Sequence, residues 1–218
     1  MYNPTSAATP SRHAERASYD ADSVHQILDE ALICHVGFIA DGRPQVLPML
    51  FVRIGSTVFF HSSTGAQMAR MAAHQGHIDL VVEATILDAL VLARSAFTHS
   101  ANYRSVIVHG TATLVRDPAV KEEILDALME KLVQGRSREV RKPSEPELRK
   151  TAVLALPLVE VSAKIRSGPP ADDAEDLSLG YWAGLWPLRT VRGALEAAPD
   201  LSPGIELPEH LRRFAEAD

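Results

Sequence analysis

The densest run of hydrogen-bonding side chains in this sequence is Ser95-Ala96-Phe97-Thr98-His99-Ser100-Ala101-Asn102-Tyr103-Arg104-Ser105, which feeds Val106-Ile107-Val108-His109-Gly110. From Ser95 to Gly110 it holds five hydroxyls counting Tyr103, one amide, one guanidinium and two imidazoles. A polar cluster emptying into an apolar strand lines a pocket more readily than it builds a core. Arg104 and Ser105 offer charged and neutral donors to an anionic ligand. The simpler alternative is a polar loop in which Arg104 pairs with a surface acid.

A second cluster, Phe60-His61-Ser62-Ser63-Thr64-Gly65, stands where a strand gives way to a short helix. A helix N-terminus presents free N–H groups and partial positive charge, which suits phosphate. Arg70, one turn on, adds a full charge. The simpler use of Ser63 or Thr64 is as the N-cap. Two such clusters at strand edges of one small fold favour a shared anion site built from His61, Ser62, Ser63, Arg70, Arg104 and Ser105.

Other chemistries lack their residues. His74 and His77 are three apart, but Gly76 lies between them and no His-Glu-x-x-His occurs, so no metal site is expected. There is no Gly-x-Ser-x-Gly elbow, no Gly-x-Gly-x-x-Gly turn and no phosphate loop. The single cysteine, Cys34, sits in Leu32-Ile33-Cys34-His35-Val36 and reads as a buried thiol. A net charge of −6 argues against nucleic acid, because the densest basic run, Arg136 to Lys142, is short and interrupted by Glu139. No apolar stretch reaches the ~18 residues of a membrane span. The N-terminus has no hydrophobic signal core, so the cytoplasm is the expected compartment.

The elements that must position these clusters are mostly strands. Residues 1–20 lack periodicity and read as an extended arm. Asp22-Ser23 caps a helix to about Ala31. Strands follow at Ile33–Ala40, Gln45–Arg53 and Thr57–His61, with Asp41-Gly42 as a hairpin turn and Gly55-Ser56 as another. A short helix spans Ala66–Ala73. Further strands are expected at His77–Thr85, Val91–Phe97 and Arg104–Val115. Asp117-Pro118 opens a helix with Val120, Ile124, Leu125, Leu128 and Leu132 at helical spacing. A last long strand runs from Val153 to Ile165. From Ser167 the chain is rich in Pro, Asp and Gly, with Tyr181, Trp182, Trp186 and Phe214 as its aromatic anchors. The tryptophans either pin the tail into a groove or wall an aromatic cofactor. Strands that come in runs rather than alternating with helices predict a mainly β fold and disfavour a Rossmann domain.

Taken in order, Asp41-Gly42-Arg43-Pro44, Phe59-Phe60-His61-Ser62, Leu92-Ala93-Arg94-Ser95-Ala96-Phe97, Asn102-Tyr103-Arg104-Ser105-Val106 and Lys164-Ile165-Arg166-Ser167-Gly168-Pro169-Pro170 resemble the pyridoxamine 5′-phosphate oxidase-related family of FMN-binding split-barrel proteins. The branch holding nitroimidazole-resistance-type flavoproteins is the nearer match. The resemblance covers about residues 12–190. It implies a six-stranded antiparallel split barrel of Greek-key type over residues 21–166. Residues 167–218 would then be a C-terminal extension packed on the barrel or on a partner subunit. It further implies a homodimer with FMN at the interface. The backbone around Leu47, Pro48, Met49 and Leu50 would face the flavin ring, and His61, Ser62 and Ser63 the ribityl chain and phosphate. Arg104 and Ser105 would make polar contacts, and Trp182 and Trp186 would approach from the tail.

The sequence also departs from that pattern. Gln67-Met68 stand where the family carries a basic pair, and the nearest cation is Arg70. No Arg-x-His element, which the true oxidase uses to hold its vitamin substrate, occurs anywhere in the chain. The expected function is therefore an FMN-dependent oxidoreductase that does not act on pyridoxamine phosphate, with a nicotinamide reductant entering from solution. Two alternatives stay open: a non-catalytic flavin- or haem-binding sensor of the same fold, and a member that has lost its cofactor.

Overall fold

The fold was obtained as a computed structural model that describes residues 1–215, with side chains through Arg213. The side chain of Phe214, one expected anchor, lies outside the described set. The strands are β1 (Ala17–Ser18), β2 (Ile33–Ala40), β3 (Arg43–Ile54), β4 (Thr57–Ser63), β5 (Ile78–Leu92), β6 (Ser100–Leu114), β7 (Thr151–Pro157), β8 (Glu160–Arg166) and β9 (Gly184–Pro187). The helices are α1 (Ala21–Glu30), α2 (Gln67–Gln75), α3 (Pro118–Leu132), α4 (Glu145–Lys150) and α5 (Glu209–Ala215). No described helix is long and apolar enough to cross a membrane.

All described strand pairings are antiparallel. β2, β3 and β4 form a meander, and β5 returns beside β2, which is the Greek-key order. β4 then pairs with β7, β7 with the end of β6, and β6 with β5, so six strands close a barrel. β8 and β1 extend the sheet beyond β6, and β9 extends it beyond β5. The expected mainly β, six-stranded antiparallel barrel is what forms.

Local chemistry explains the joints. Asp41 and Gly42 both take positive φ, 51° and 71°, the backbone a two-residue hairpin of right-handed twist requires. Asp117 accepts from the Ala119 and Val120 amides, and Pro118 starts α3 as expected. Three expectations change. The helix expected from Asp22-Ser23 is capped by Asp20, whose carboxylate accepts from the Ser23 amide at 2.8 Å. The strand expected at Val91–Phe97 is absent: β5 continues from Ile78 to Leu92, and residues 93–99 form a loop. The Val153–Ile165 strand is two strands, because Pro157 has no amide to continue the ladder and the chain changes sheets there.

The barrel interior is filled by alternate residues such as Val36, Val58, Phe60, Val82, Val108 and Leu154, all essentially inaccessible. Val24, Ile27 and Leu28 of α1 and Met68 and Ala72 of α2 join the same core. Cys34 is fully buried, and desolvation pushes its thiol up to about 12. A second apolar layer lies outside the barrel, where Ile124 and Leu128 of α3 cover Val52 and Val153. The arm of residues 1–20 is folded onto the barrel: Tyr2 packs on the core and its hydroxyl pairs with His25 at 2.8 Å. The outward side of β2 and of the first half of β3 has no such cover among the described residues, leaving Ile39 59% and Val46 64% exposed.

Lys131 is the least comfortable charge. Its ammonium sits 3.5 Å from the Phe51 ring centroid and donates to the Leu28 carbonyl at 2.8 Å. Burial lowers its pKa to about 8 from 10.5. In the unfolded chain the group stays protonated to higher pH, so stability rises as pH increases from about 8 to 10.5. A shift of that size corresponds to about 3 kcal/mol for a fully buried group, and the partial exposure of Lys131 reduces this to about 1–2 kcal/mol. Urea unfolding of the wild type and Lys131→Met at pH 7.5 and 10.5 should show the wild type gaining stability on the variant by about that amount. A pH-independent gap between the two would refute it.

Candidate functional site

The barrel is split between β3 and β4. The two strands pair only from Phe51↔Phe60 to Ile54↔Thr57. Before Phe51, β3 pairs with β2 alone, and after Phe60, β4 pairs with β7 alone. One edge of residues 43–50 therefore carries alternate N–H and C=O groups with no described strand beside them. Pro44 and Pro48 fall in this half-paired segment, where a missing amide costs least. Leu47 to Leu50 form one lip of the opening, and His61 to Ser63 form the other.

The His61 lip is polar and partly desolvated. Nδ1 of His61 is buried with no hydrogen-bond partner among the described residues. Burial lowers the pKa of the ring, which keeps it neutral near pH 7. An unpartnered buried nitrogen is costly unless something absent from the chain meets it. The Ser62 hydroxyl donates to the Ser63 carbonyl at 3.2 Å, and the Ser63 hydroxyl accepts from the Gly65 amide at 3.2 Å. These serines shape the turn and do not cap α2. The N-cap of α2 is Ala66, without a side-chain cap, so the first amides of that helix stay available. Gln67 is tied to the hairpin, its Nε2 donating to Asp41 at 2.9 Å. Arg70 is exposed and has no ion-pair partner among the described residues.

Arg104 and Ser105 lie elsewhere. Leu114 of β6, Leu154 of β7 and Phe60 of β4 stand in register. Arg104 is ten positions before Leu114, while Ser62 is two positions beyond Phe60 in the parallel direction. Within one chain the two polar clusters thus sit toward opposite ends of the barrel and do not form a shared site. Arg104 is also occupied: it donates to Asp88 through Nε at 3.0 Å and Nη2 at 2.8 Å, and to Glu30 through Nη2 at 2.8 Å. Those two carboxylates raise its pKa further, and the Arg104 guanidinium in turn lowers that of Glu30. The Ser105 hydroxyl donates to the Lys164 carbonyl at 3.3 Å.

Trp182 and Trp186 find no groove on their own barrel. They are 70% and 63% exposed. Trp186 sits on β9 opposite Leu90 of β5, and the Trp182 ring folds against Gly184, where a Cβ would meet it at 2.7 Å. The start of the tail is fixed more firmly. Asp172 accepts from the Arg94 amide, the Arg94 guanidinium and the Thr98 hydroxyl, each at 2.9 Å, which locks the loop after β5. Desolvation works against that carboxylate, yet the hydrogen bonds prevail and its pKa is lowered.

Sequence reasoning missed one further hollow. A cavity of about 220 Å³ is lined by Thr64, Arg116, Lys121 and Ala152, with Ala69, Ala73, Leu114 and Val115. Arg116 falls just after β6 and just before the Asp-Pro helix start, so its position as a cation at a joint was visible, though its neighbours were not.

The comparisons agree with this architecture. Residues 20–165 match the model of a family described as pyridoxamine 5′-phosphate oxidase. The flavocytochrome Anf3 of Azotobacter vinelandii is 36% identical, with 98% of this chain and 99% of that one covered and a TM-score of 0.91. A FAD and heme binding protein of Mycobacterium smegmatis is 35% identical, with 91% and 97% covered and a TM-score of 0.85. A putative 5-nitroimidazole antibiotic resistance protein of Bacteroides thetaiotaomicron shares the fold at 21% identity, with 68% and 86% covered and a TM-score of 0.57. No curated protein sequence matches the chain. The split barrel and the match across its whole length place this chain in the pyridoxamine 5′-phosphate oxidase-like family.

Proposed function

We propose that this protein is a flavin-dependent redox protein, an oxidoreductase that holds at least the FMN portion of its cofactor in the split between β3 and β4. Two observations carry this reading: a strand edge without a described partner along residues 43–50, and, on the strand that parts from it, a buried His61 Nδ1 with no hydrogen-bond partner among the described residues. A flat ring with hydrogen-bonding heteroatoms satisfies both at once. A bound flavin supplies the hydride or electron transfer. The chain supplies the rest. Alternate backbone groups of residues 45–50 orient the ring, Leu47 and Leu50 keep water from its edge, and neutral His61 holds one proton at a nitrogen chosen by tautomer. The uncapped α2 amides and Arg70 face a phosphate in place of the family's basic pair.

A second copy of the chain fits the remaining features. The uncovered β2–β3 side and the exposed tryptophans both want apolar cover, and a twofold partner would bring its Arg104 end and its tail toward the split. Without an Arg-x-His element, pyridoxamine phosphate is not the substrate we favour, and the electron donor would be a nicotinamide nucleotide from solution.

Haem beside the flavin is a second reading, favoured by similarity to proteins described as a flavocytochrome and as a FAD and heme binding protein. An absorbance spectrum of purified protein separates the cases. Flavin bands that bleach with a nicotinamide reductant support the oxidoreductase, a Soret band adds haem, and colourless protein that takes up no added flavin refutes both. His61→Ala should lower flavin content roughly tenfold or more, the worth of a hydrogen bond made in a dry site, and His61→Gln should restore part of it. Equal flavin content in all three proteins would remove His61 from the site.

A further inference from the structure

We infer that the cavity between α2, α3 and the ends of β6 and β7 is a second anion site that takes the adenylate group of a nucleotide. The inference rests on the flavin reading above for its neighbour, but on separate residues for itself. Thr64 is the residue after Ser63, and Ala152 is the cross-strand partner of Ser62. The cavity therefore opens at the same corner of the barrel as the His61 lip.

Its chemistry is cationic in an acidic protein. No carboxylate among the described residues lines it. Arg116 is exposed and has no hydrogen bond or ion pair among the described residues. Lys121 is part-buried and held by a single bond, its Nζ donating to the Thr151 carbonyl at 3.0 Å, which leaves two of its protons free. The nearest carboxylate in sequence, Asp117, is engaged in capping α3. An unpaired arginine and an under-used lysine with a threonine hydroxyl suit phosphoryl oxygens. The rest of the wall is small and apolar: Ala69 and Ala73 of α2, Leu114 and Ala152. Such a wall accepts a base or sugar without demanding hydrogen bonds.

An adenylate group reaches this protein from two sources, a dinucleotide flavin or a nicotinamide reductant. Apoprotein should be titrated with FMN, FAD and 5′-AMP, following flavin fluorescence and calorimetric heat, for the wild type, Arg116→Ala and Lys121→Gln. The expected result is FAD bound more tightly than FMN, with each substitution weakening FAD and AMP roughly ten- to hundredfold, the worth of a charged hydrogen bond, and leaving FMN unchanged. AMP that competes with FAD assigns the cavity to the flavin's own adenylate. AMP that binds alongside FAD assigns it to the reductant. AMP that does not bind, with FAD and FMN affinities equally indifferent to both substitutions, overturns the inference. FMN and FAD weakened equally would also overturn it, because the cations would then hold the phosphate the two share. Failure of the flavin reading itself looks different: no flavin binds to any of the three proteins.

Discussion

Phe60→Ala is expected to destabilise the protein by about 3–5 kcal/mol, the range for emptying a buried aromatic site. Phe60 is 1% exposed and central to the barrel core. Its position adds a second consequence. Phe51↔Phe60 is the last rung before β3 and β4 diverge, so these two rings fix where the split begins. The variant should therefore lose flavin affinity as well as stability, with the losses separable by temperature. At 10 °C, folded variant should still bind flavin more weakly than the wild type. Leu156→Ala, equally buried but on β7 away from that rung, serves as the control. It should lose stability and keep its affinity once folded. Equal flavin affinity in both variants would show that the opening does not depend on the rung.

Ending the chain after Leu179 should leave the barrel folded and remove most of the flavin binding or the dimerisation proposed above. The truncation keeps Asp172 and its grip on Arg94 and Thr98, and it keeps the Gly168 carbonyl that accepts from Asn102. It removes Trp182, Trp186 and β9, which bury little against their own chain. The loss of β9 frees one edge of β5 from Ala89 to Leu92, a modest cost. Circular dichroism and thermal unfolding should change by only a few degrees. Sedimentation should report a monomer, or flavin content should fall at least tenfold. A truncated protein with full flavin content and an unchanged oligomeric state would show that the tail serves neither.

Much of the scaffold was legible because its signals are local. Asp41-Gly42 announces positive φ, Asp117-Pro118 announces a helix start, and alternation marks β2 to its last residue. The misreadings share a different cause. Asp88 sits at a register shift between Leu87 and Ala89, so the inside-outside alternation of β5 slips there and one strand reads as two. Pro157 reads as an irregular position in a long strand, whereas it marks a change of sheet. The polar residues were harder. Arg104 meets Glu30, 74 residues away, and Asp88, 16 away, and neither distance leaves a periodic trace. The strand edge and the orphaned His61 nitrogen exist only once β4 has turned from β3 to β7, which no spacing of residues encodes.

Cys34 makes the molecule its own reporter. It is the chain's one thiol, it is wholly enclosed by the barrel, and its proton is held until about pH 12. An alkylating reagent can reach it only when the barrel opens, so the speed of modification clocks that opening without any added label. Ligands that grip the split would slow the clock.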